Sequence, residues 1–107
     1  MALRPPSQPF RRFRPFAGDS ALEAELAGEK AAALGRLARA MERSLARLSA
    51  TPPGTPGRDA AVRAAAEDVW LFLVQREVCG FTDQGSVIEH YGVPAEVMAR
   101  VGERRGD

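Results

Sequence analysis

The sequence has few of the residues that stabilise secreted mini-domains or build active sites. It contains one cysteine, one histidine, one tryptophan and one tyrosine in 107 residues, and aromatic residues make up 7% of the chain. A single cysteine excludes a disulfide scaffold and fits a reducing compartment. No run approaches the roughly 18 apolar residues that cross a membrane, and the first ten residues have no apolar segment of the secretory type. The composition predicts one small cytoplasmic domain with no membrane segment.

The chemistry-bearing residues are too sparse to predict catalysis or metal binding. Cys79 and His90 are the only thiol and the only imidazole, and a glycine turn separates them. We expect Cys79 to be a small core residue and His90 to be exposed or at a helix end. The acidic residues are scattered, and no glycine-rich loop follows a strand. The sequence therefore predicts no enzyme and no cofactor, with a site centred on Cys79 or His90 as an alternative.

Residues 1–18 form a basic segment that differs from the rest of the chain. The segment carries four arginines, no acidic residue and four prolines. The prolines forbid a regular helix. In a polyproline II conformation, Phe10, Phe13 and Phe16 would lie on one edge. We expect either a disordered arm or a strap that docks on the body or on a second subunit.

A long helix is predicted to follow this arm. Ser20 and Glu23 have the spacing of a capping box, and no proline interrupts the chain from there to about Ser49. Apolar residues recur at helical spacing along this stretch, at Leu22, Leu26, Ala33, Leu37, Met41, Leu45 and Leu48. A helix of this extent is about 45 Å long.

Shorter helices are predicted after the loop at residues 50–57. Asp59 is the expected N-cap of a second helix that ends near Cys79, and the apolar run at 69–74 indicates a helix buried on more than one side. Thr82 or Asp83 is expected to cap a third helix, and Pro94 to open a fourth. The prediction is an all-α fold: a long antiparallel helical hairpin, then two short helices. Residues 19–102 form one domain, and residues 103–107 fray.

The unequal lengths of the two long helices predict a dimer. The first exceeds the second by about 15 Å, so a single hairpin leaves one end of the first helix uncovered. A second copy of the chain can cover it in a helical-bundle homodimer. The expected contact residues for this copy or another protein partner are Leu26, Ala33, Leu37, Met41, Trp70 and Val74.

Charge changes sign along the first helix. Glu23, Glu25 and Glu29 precede a ridge of arginines at 36, 39, 43 and 47. The four expected charge-pairing residues of this ridge are Arg36, Arg39, Arg43 and Arg47. Like charges at helical spacing repel, and four explanations are open. The ridge is solvated, or Asp59, Glu67 and Asp68 of the second helix approach it, or an antiparallel copy of the first helix brings its acidic half. In the fourth, the ridge binds the phosphate chain of RNA or DNA.

Three polar residues, Gln75, Arg76 and Glu77, directly follow the apolar run of the second helix. Beside so apolar a surface, a charged group must be paired or lie at a boundary. We expect Arg76 or Glu77 to form an ion pair, within or between subunits.

Residues 84–103 have the order of a helix-turn-helix. The turn would lie at Gly92 and Val93, and the second helix would present Glu96 and Arg100. From Phe81 onward, however, acidic residues outnumber arginines. Because DNA affinity depends on neutralised phosphates, this balance disfavours nucleic acid as a partner. A DNA-binding regulator is the alternative function.

Three stretches together resemble a known family: EKAAALGRL at 29–37, WLFLVQREVCG at 70–80 and VIEHYGVPAEVMARVG at 87–102. They are similar to small proteobacterial proteins designated only as a domain of unknown function. The resemblance covers roughly residues 19–102 and implies an all-helical bacterial cytoplasmic protein without an assigned activity. With the residue patterns, it favours a non-enzymatic, self-associating interaction module.

Overall fold

The structure is a computed structural model that describes residues 17–103, with side chains from Ser20 onward. Within this range the chain forms four helices and no strand. The helices are α1 (Ala17–Ser49), α2 (Arg58–Val78), α3 (Gln84–Tyr91) and α4 (Ala95–Met98). The all-α prediction is confirmed, with a long helix followed by shorter ones. None of these helices is both long and apolar enough to cross a membrane.

The predicted terminal segments lie mostly outside the described residues. These are residues 1–16 of the arm, with its three phenylalanines, and residues 104–107 of the tail. Ala17 and Gly18 belong to α1, so Ser20 lies inside the first turns and is not the predicted cap. Nothing after Pro15 forbids a helix, and the local capping pattern at Ser20 does not interrupt it.

Helices α1 and α2 form an antiparallel hairpin. Ser44 near the end of α1 donates to Asp68 in the middle of α2, and the Cys79 thiol lies 3.8 Å from the carbonyl oxygen of Lys30. Gly57 is the N-cap of α2 with a φ of 92°, so Asp59 lies in the first turn and is not the predicted cap. Glycine adopts this left-handed conformation without strain, which lets the chain reverse directly into α2.

The core lies where α2 meets the second half of α1 and the C-terminal segment. It contains Met41 and Leu48 from α1, seven residues of α2, and Val87, Val93 and Val97 from the C-terminal segment. The α2 members are Ala61, Val62, Ala65, Ala66, Val69, Phe72 and Leu73. Of the predicted apolar run at 69–74, Val69, Phe72 and Leu73 are buried in this core, the two residues at 70 and 71 are partly buried, and Val74 is 37% exposed.

The short helices are held by local caps and one aromatic contact. Asp83 caps α3 by accepting from the Ser86 N–H at 3.2 Å, which confirms one of the two predicted caps. Gly92 ends α3 in the left-handed conformation. Pro94 is the N-cap of α4 and not its first residue as predicted. The Tyr91 ring meets Phe72 edge-on at 5.7 Å, which fixes α3 against α2.

Candidate interaction surface

The first half of α1 extends beyond the hairpin. Helix α1 has 33 residues and α2 has 21, so α1 is longer by about 18 Å at 1.5 Å per residue. Residues 21–32 are all exposed. We call this stretch the α1 extension. Its two leucines, Leu22 and Leu26, expose 54% and 51% of their surface.

A second apolar patch lies beside the α1 extension, where α2 ends. Val78 is 52% exposed and Phe81 is 50% exposed. The Arg76 guanidinium lies 5.1 Å from the centre of the Phe81 ring, which helps to hold that ring in place. An open groove runs between the α1 extension and this patch. It is lined by Glu23, Leu26, Ala27, Lys30, Ala31, Leu34, Cys79 and Phe81.

The residues predicted to contact a partner occupy different environments. Leu26 and Val74 are exposed, whereas Ala33, Leu37 and Trp70 are partly buried. Met41 has no exposed surface, because α2 covers this part of α1. It therefore belongs to the chain's own core and faces no partner in this fold.

Trp70 packs against the C-terminal turn of its own chain. A Cβ atom added to Gly102 would lie 3.3 Å from the Trp70 ring. The indole is therefore partly covered from within the subunit, and Leu22 and Leu26 on the α1 extension are the more accessible apolar residues.

The arginine ridge of α1 points away from the core. Arg36, Arg39, Arg43 and Arg47 are all exposed, and none forms an ion pair with another residue in the range 20–103. Two of the acids expected to approach the ridge from α2 are engaged elsewhere. Asp59 binds Arg100 at 2.6 Å, and Asp68 accepts from Ser44. The ridge therefore keeps its positive charge at the surface.

Arg76 and Glu77 form hydrogen bonds. An ion pair within the chain was one of the two expectations for them. Arg76 donates to the carbonyl oxygen of Asp83 at 2.9 Å, and Glu77 accepts from the Gln84 side chain at 3.1 Å. Neither forms an ion pair within the part of the chain that the structure describes. Both side chains instead hold the start of α3 to the end of α2.

Cys79 and His90 have different neighbours. The Cys79 thiol lies near the Lys30 carbonyl and 4.0 Å from the Gln75 amide nitrogen. The His90 ring meets Tyr91 edge-on at 4.9 Å. Among the described residues there is also no group of three or more His, Cys, Asp or Glu side chains that could hold a metal ion.

The predicted DNA-reading helix is a single turn. Helix α4 has four residues, and the two charged side chains expected to face DNA are both engaged within the chain. Glu96 pairs with Arg58, and Arg100 pairs with Asp59. These contacts hold α4 against the start of α2.

Arg58 connects three segments, a role that the sequence analysis missed. Its guanidinium donates to the carbonyl oxygens of Leu48 at 3.2 Å and Thr51 at 2.6 Å, and it pairs with Glu96. A cation in the first turn of a helix is unfavourable for that helix, and this is the signal available in the sequence. Here the guanidinium instead donates hydrogen bonds to carbonyl oxygens at the C-terminal end of α1 and just after it.

The Asp59–Arg100 pair gives a testable pH dependence. The hydrogen bond from Arg100 holds the pKa of the Asp59 carboxyl below its usual 3.8. A carboxyl whose pKa is lowered by folding contributes stability above the unfolded pKa and loses it as pH falls through the folded pKa. We expect Asp59→Asn to destabilise the protein in urea unfolding at neutral pH, and the difference from wild type to shrink as the pH falls below the usual Asp pKa of 3.8.

The partner variant Arg100→Met is the control for this prediction. It should lose the contribution of the Asp59–Arg100 pair, because that pair is then broken at Arg100, and in addition the exposed pair of Arg100 with Glu103. A difference between Asp59→Asn and wild type that stays constant across this pH range would contradict the assignment.

The chain belongs to a family of unknown function, DUF6665, whose model matches residues 1–105. The match is wider than the 19–102 expected from the three sequence stretches, because it includes the basic arm. No curated protein and no solved structure matches the chain.

Proposed function

We propose that this protein is a non-enzymatic helical module that works by self-association, and that the α1 extension is where a second copy binds. The observation that carries the proposal is the exposure of Leu22 and Leu26 on a stretch whose residues, 21–32, are all exposed. Exposed apolar surface of this kind marks interaction sites. Burying the exposed half of each leucine would contribute about 1 kcal/mol.

The charge order of α1 favours a second copy over an unrelated partner. The α1 extension carries Glu25 and Glu29, whereas the following turns carry Arg36 and Arg43, and all four are exposed. A surface with both signs of charge on one helix is complementary to itself when two copies meet in opposite directions. Closed twofold dimers with self-complementary surfaces are the commonest homo-oligomers.

Cytoplasmic location and bacterial origin belong to the same proposal. Cys79, the single cysteine, forms no disulfide, as is usual in a reducing compartment. The bacterial origin rests on the resemblance of the three sequence stretches.

Sedimentation equilibrium of the full chain tests self-association. We expect wild type to dimerise in the micromolar range, and the double variant Leu22→Ser and Leu26→Ser to dimerise at least about tenfold more weakly, a change of about 1.4 kcal/mol. Both leucines are half exposed within one chain, so the substitution removes the contact with little effect on the fold. Circular dichroism would show the same helical content.

Ala46→Ser is a control on the other side of α1, where the residue is exposed near the end of the helix. It should leave the dissociation constant unchanged. A wild-type chain that is monomeric at high micromolar concentration would refute the proposal. So would a double variant that dimerises as tightly as wild type.

A further inference from the structure

We infer that the two subunits join through their α1 helices in an antiparallel arrangement, with the twofold axis close to Ala33. This inference rests on the proposed self-association and adds its geometry. In it, the acidic first half of each α1 lies along the basic second half of the other. Two independent patterns on α1, one of charge and one of side-chain size, select this arrangement.

The first pattern is a row of four exposed charges. Glu25, Glu29, Arg36 and Arg43 are spaced by four, seven and seven residues. At 100° per residue they fall within about 40° around the helix, so they form one line along the axis. None of the four is in an ion pair with another described residue.

An antiparallel copy converts this row into ion pairs between subunits. With the axis at Ala33, Glu29 lies within about 1.5 Å along the helix axis of Arg36 of the partner subunit. Glu25 lies within about 3 Å, along the same axis, of Arg43 of the partner subunit. Both offsets are small compared with the reach of these side chains. By symmetry the dimer has four such pairs.

The second pattern places large side chains opposite small ones. Leu22, Leu26, Ala33, Ala40 and Ser44 form a second line, also within about 40° around the helix and adjacent to the charged one. In the same register, Leu26 lies beside Ala40 of the partner subunit and Leu22 beside Ser44 of the partner subunit.

Small residues make this close packing possible. Ala33 and Ala40 are partly buried at the border with α2, and small side chains permit interaxial distances toward the 8 Å end of the usual range. The α1 extension of one subunit then covers the shoulder between α1 and α2 of the other. This would bury the leucines that the chain's own described residues leave exposed.

A parallel pair of α1 helices is disfavoured by the same charges. In a parallel pair, each glutamate would lie beside the same glutamate of the other copy and each arginine beside the same arginine. Like charges at flanking positions of paired helices are unfavourable and set the orientation of such pairs. The change of sign along α1 thus selects the antiparallel direction.

Charge reversal in two full-length variants tests the ion pairs. The first variant carries Glu25→Arg and Glu29→Arg, and the second carries Arg36→Glu and Arg43→Glu. Each alone places like charges together in its homodimer and should dimerise at least about tenfold more weakly. An equimolar mixture restores opposite charges at all four pairs, so we expect a heterodimer about as stable as wild type.

Cysteine cross-linking tests the position of the axis. In a Cys79→Ser background, Ala33→Cys should form a disulfide between subunits on mild oxidation. Ala21→Cys is the matched control, because antiparallel helices would hold its two copies about 36 Å apart. Cross-linking through both positions would indicate a parallel pair and overturn the inference.

The outcomes separate this inference from the proposed self-association. A dimer that persists, with neither complementation between the charge variants nor cross-linking at Ala33→Cys, refutes the arrangement and leaves self-association standing. A chain that is monomeric throughout refutes both. This second result would also be the expected one if the basic arm of the same chain covered the α1 extension.

Discussion

Replacing Met41 with alanine is expected to lower the free energy of unfolding by about 2–5 kcal/mol. Met41 has no exposed surface and lies in the core where α1 meets α2. Its removal leaves a cavity between helices that relax only partly, so the lost transfer free energy and the lost packing add together. Urea denaturation followed by circular dichroism measures the change.

The control for this experiment is Leu26→Ala, which removes a side chain of similar size from a half-exposed position. Both variants should be compared at low protein concentration, because self-association adds apparent stability. Under these conditions Leu26→Ala is expected to cost about 1 kcal/mol or less. Equal losses for the two variants would contradict the assignment of Met41 to the core.

Replacing Arg58 with methionine is expected to cost about 2–3 kcal/mol. The substitution keeps most of the aliphatic packing and removes the guanidinium, whose side chain is only 20% exposed. The carbonyl oxygens of Leu48 and Thr51 lose their charged donor, and Glu96 loses its partner. Hydrogen bonds to charged groups are worth more than neutral ones, so one substitution loosens α1, α2 and α4 together.

Arg63→Met is the matched control for this experiment. Arg63 is also on α2, but its side chain is 60% exposed and its Nη2 atom lies 3.7 Å from Asp59. An exposed pair of this kind contributes at most about 1 kcal/mol. Arg58→Lys should recover only part of the stability, since a single ammonium group does not reproduce the guanidinium fork. A loss at Arg58 no larger than at Arg63 would contradict the connecting role.

The order of the helices could be predicted from the sequence, and so could the caps that depend only on neighbouring residues. Asp83 and Gly92 are examples, because an aspartate before a helix and a glycine after it act within a few residues. The first residues of α1 and α2 were harder to predict from the sequence. Ser20 and Asp59 carry good capping chemistry, but the chain is already helical when it reaches them. A capping pattern indicates that a helix can begin at that residue, but it does not prevent the helix from beginning earlier.

Contacts between distant parts of the chain explain the remaining differences. The length difference between α1 and α2 could be read from the sequence and predicted the exposed α1 extension. The role of Arg58 could not, because its partner Glu96 is 38 residues away. The hydrogen bond from Arg76 to the carbonyl oxygen of Asp83 spans only seven residues, but it depends on how the chain turns between α2 and α3. Periodicity placed Met41 on the apolar side of α1 without showing that α2 covers it.

The α1 extension has a consequence for local unfolding. A helical stretch of this length is marginal in water without tertiary contacts, so residues 21–32 owe their order mainly to the packed turns that follow them. Their amides should exchange hydrogen with solvent sooner than those around Met41, with a gradient of protection along one continuous helix. Pairing with a second copy of the chain would raise the protection of residues 21–32 toward that of the core. The cooperative folding unit would then be larger than a single chain.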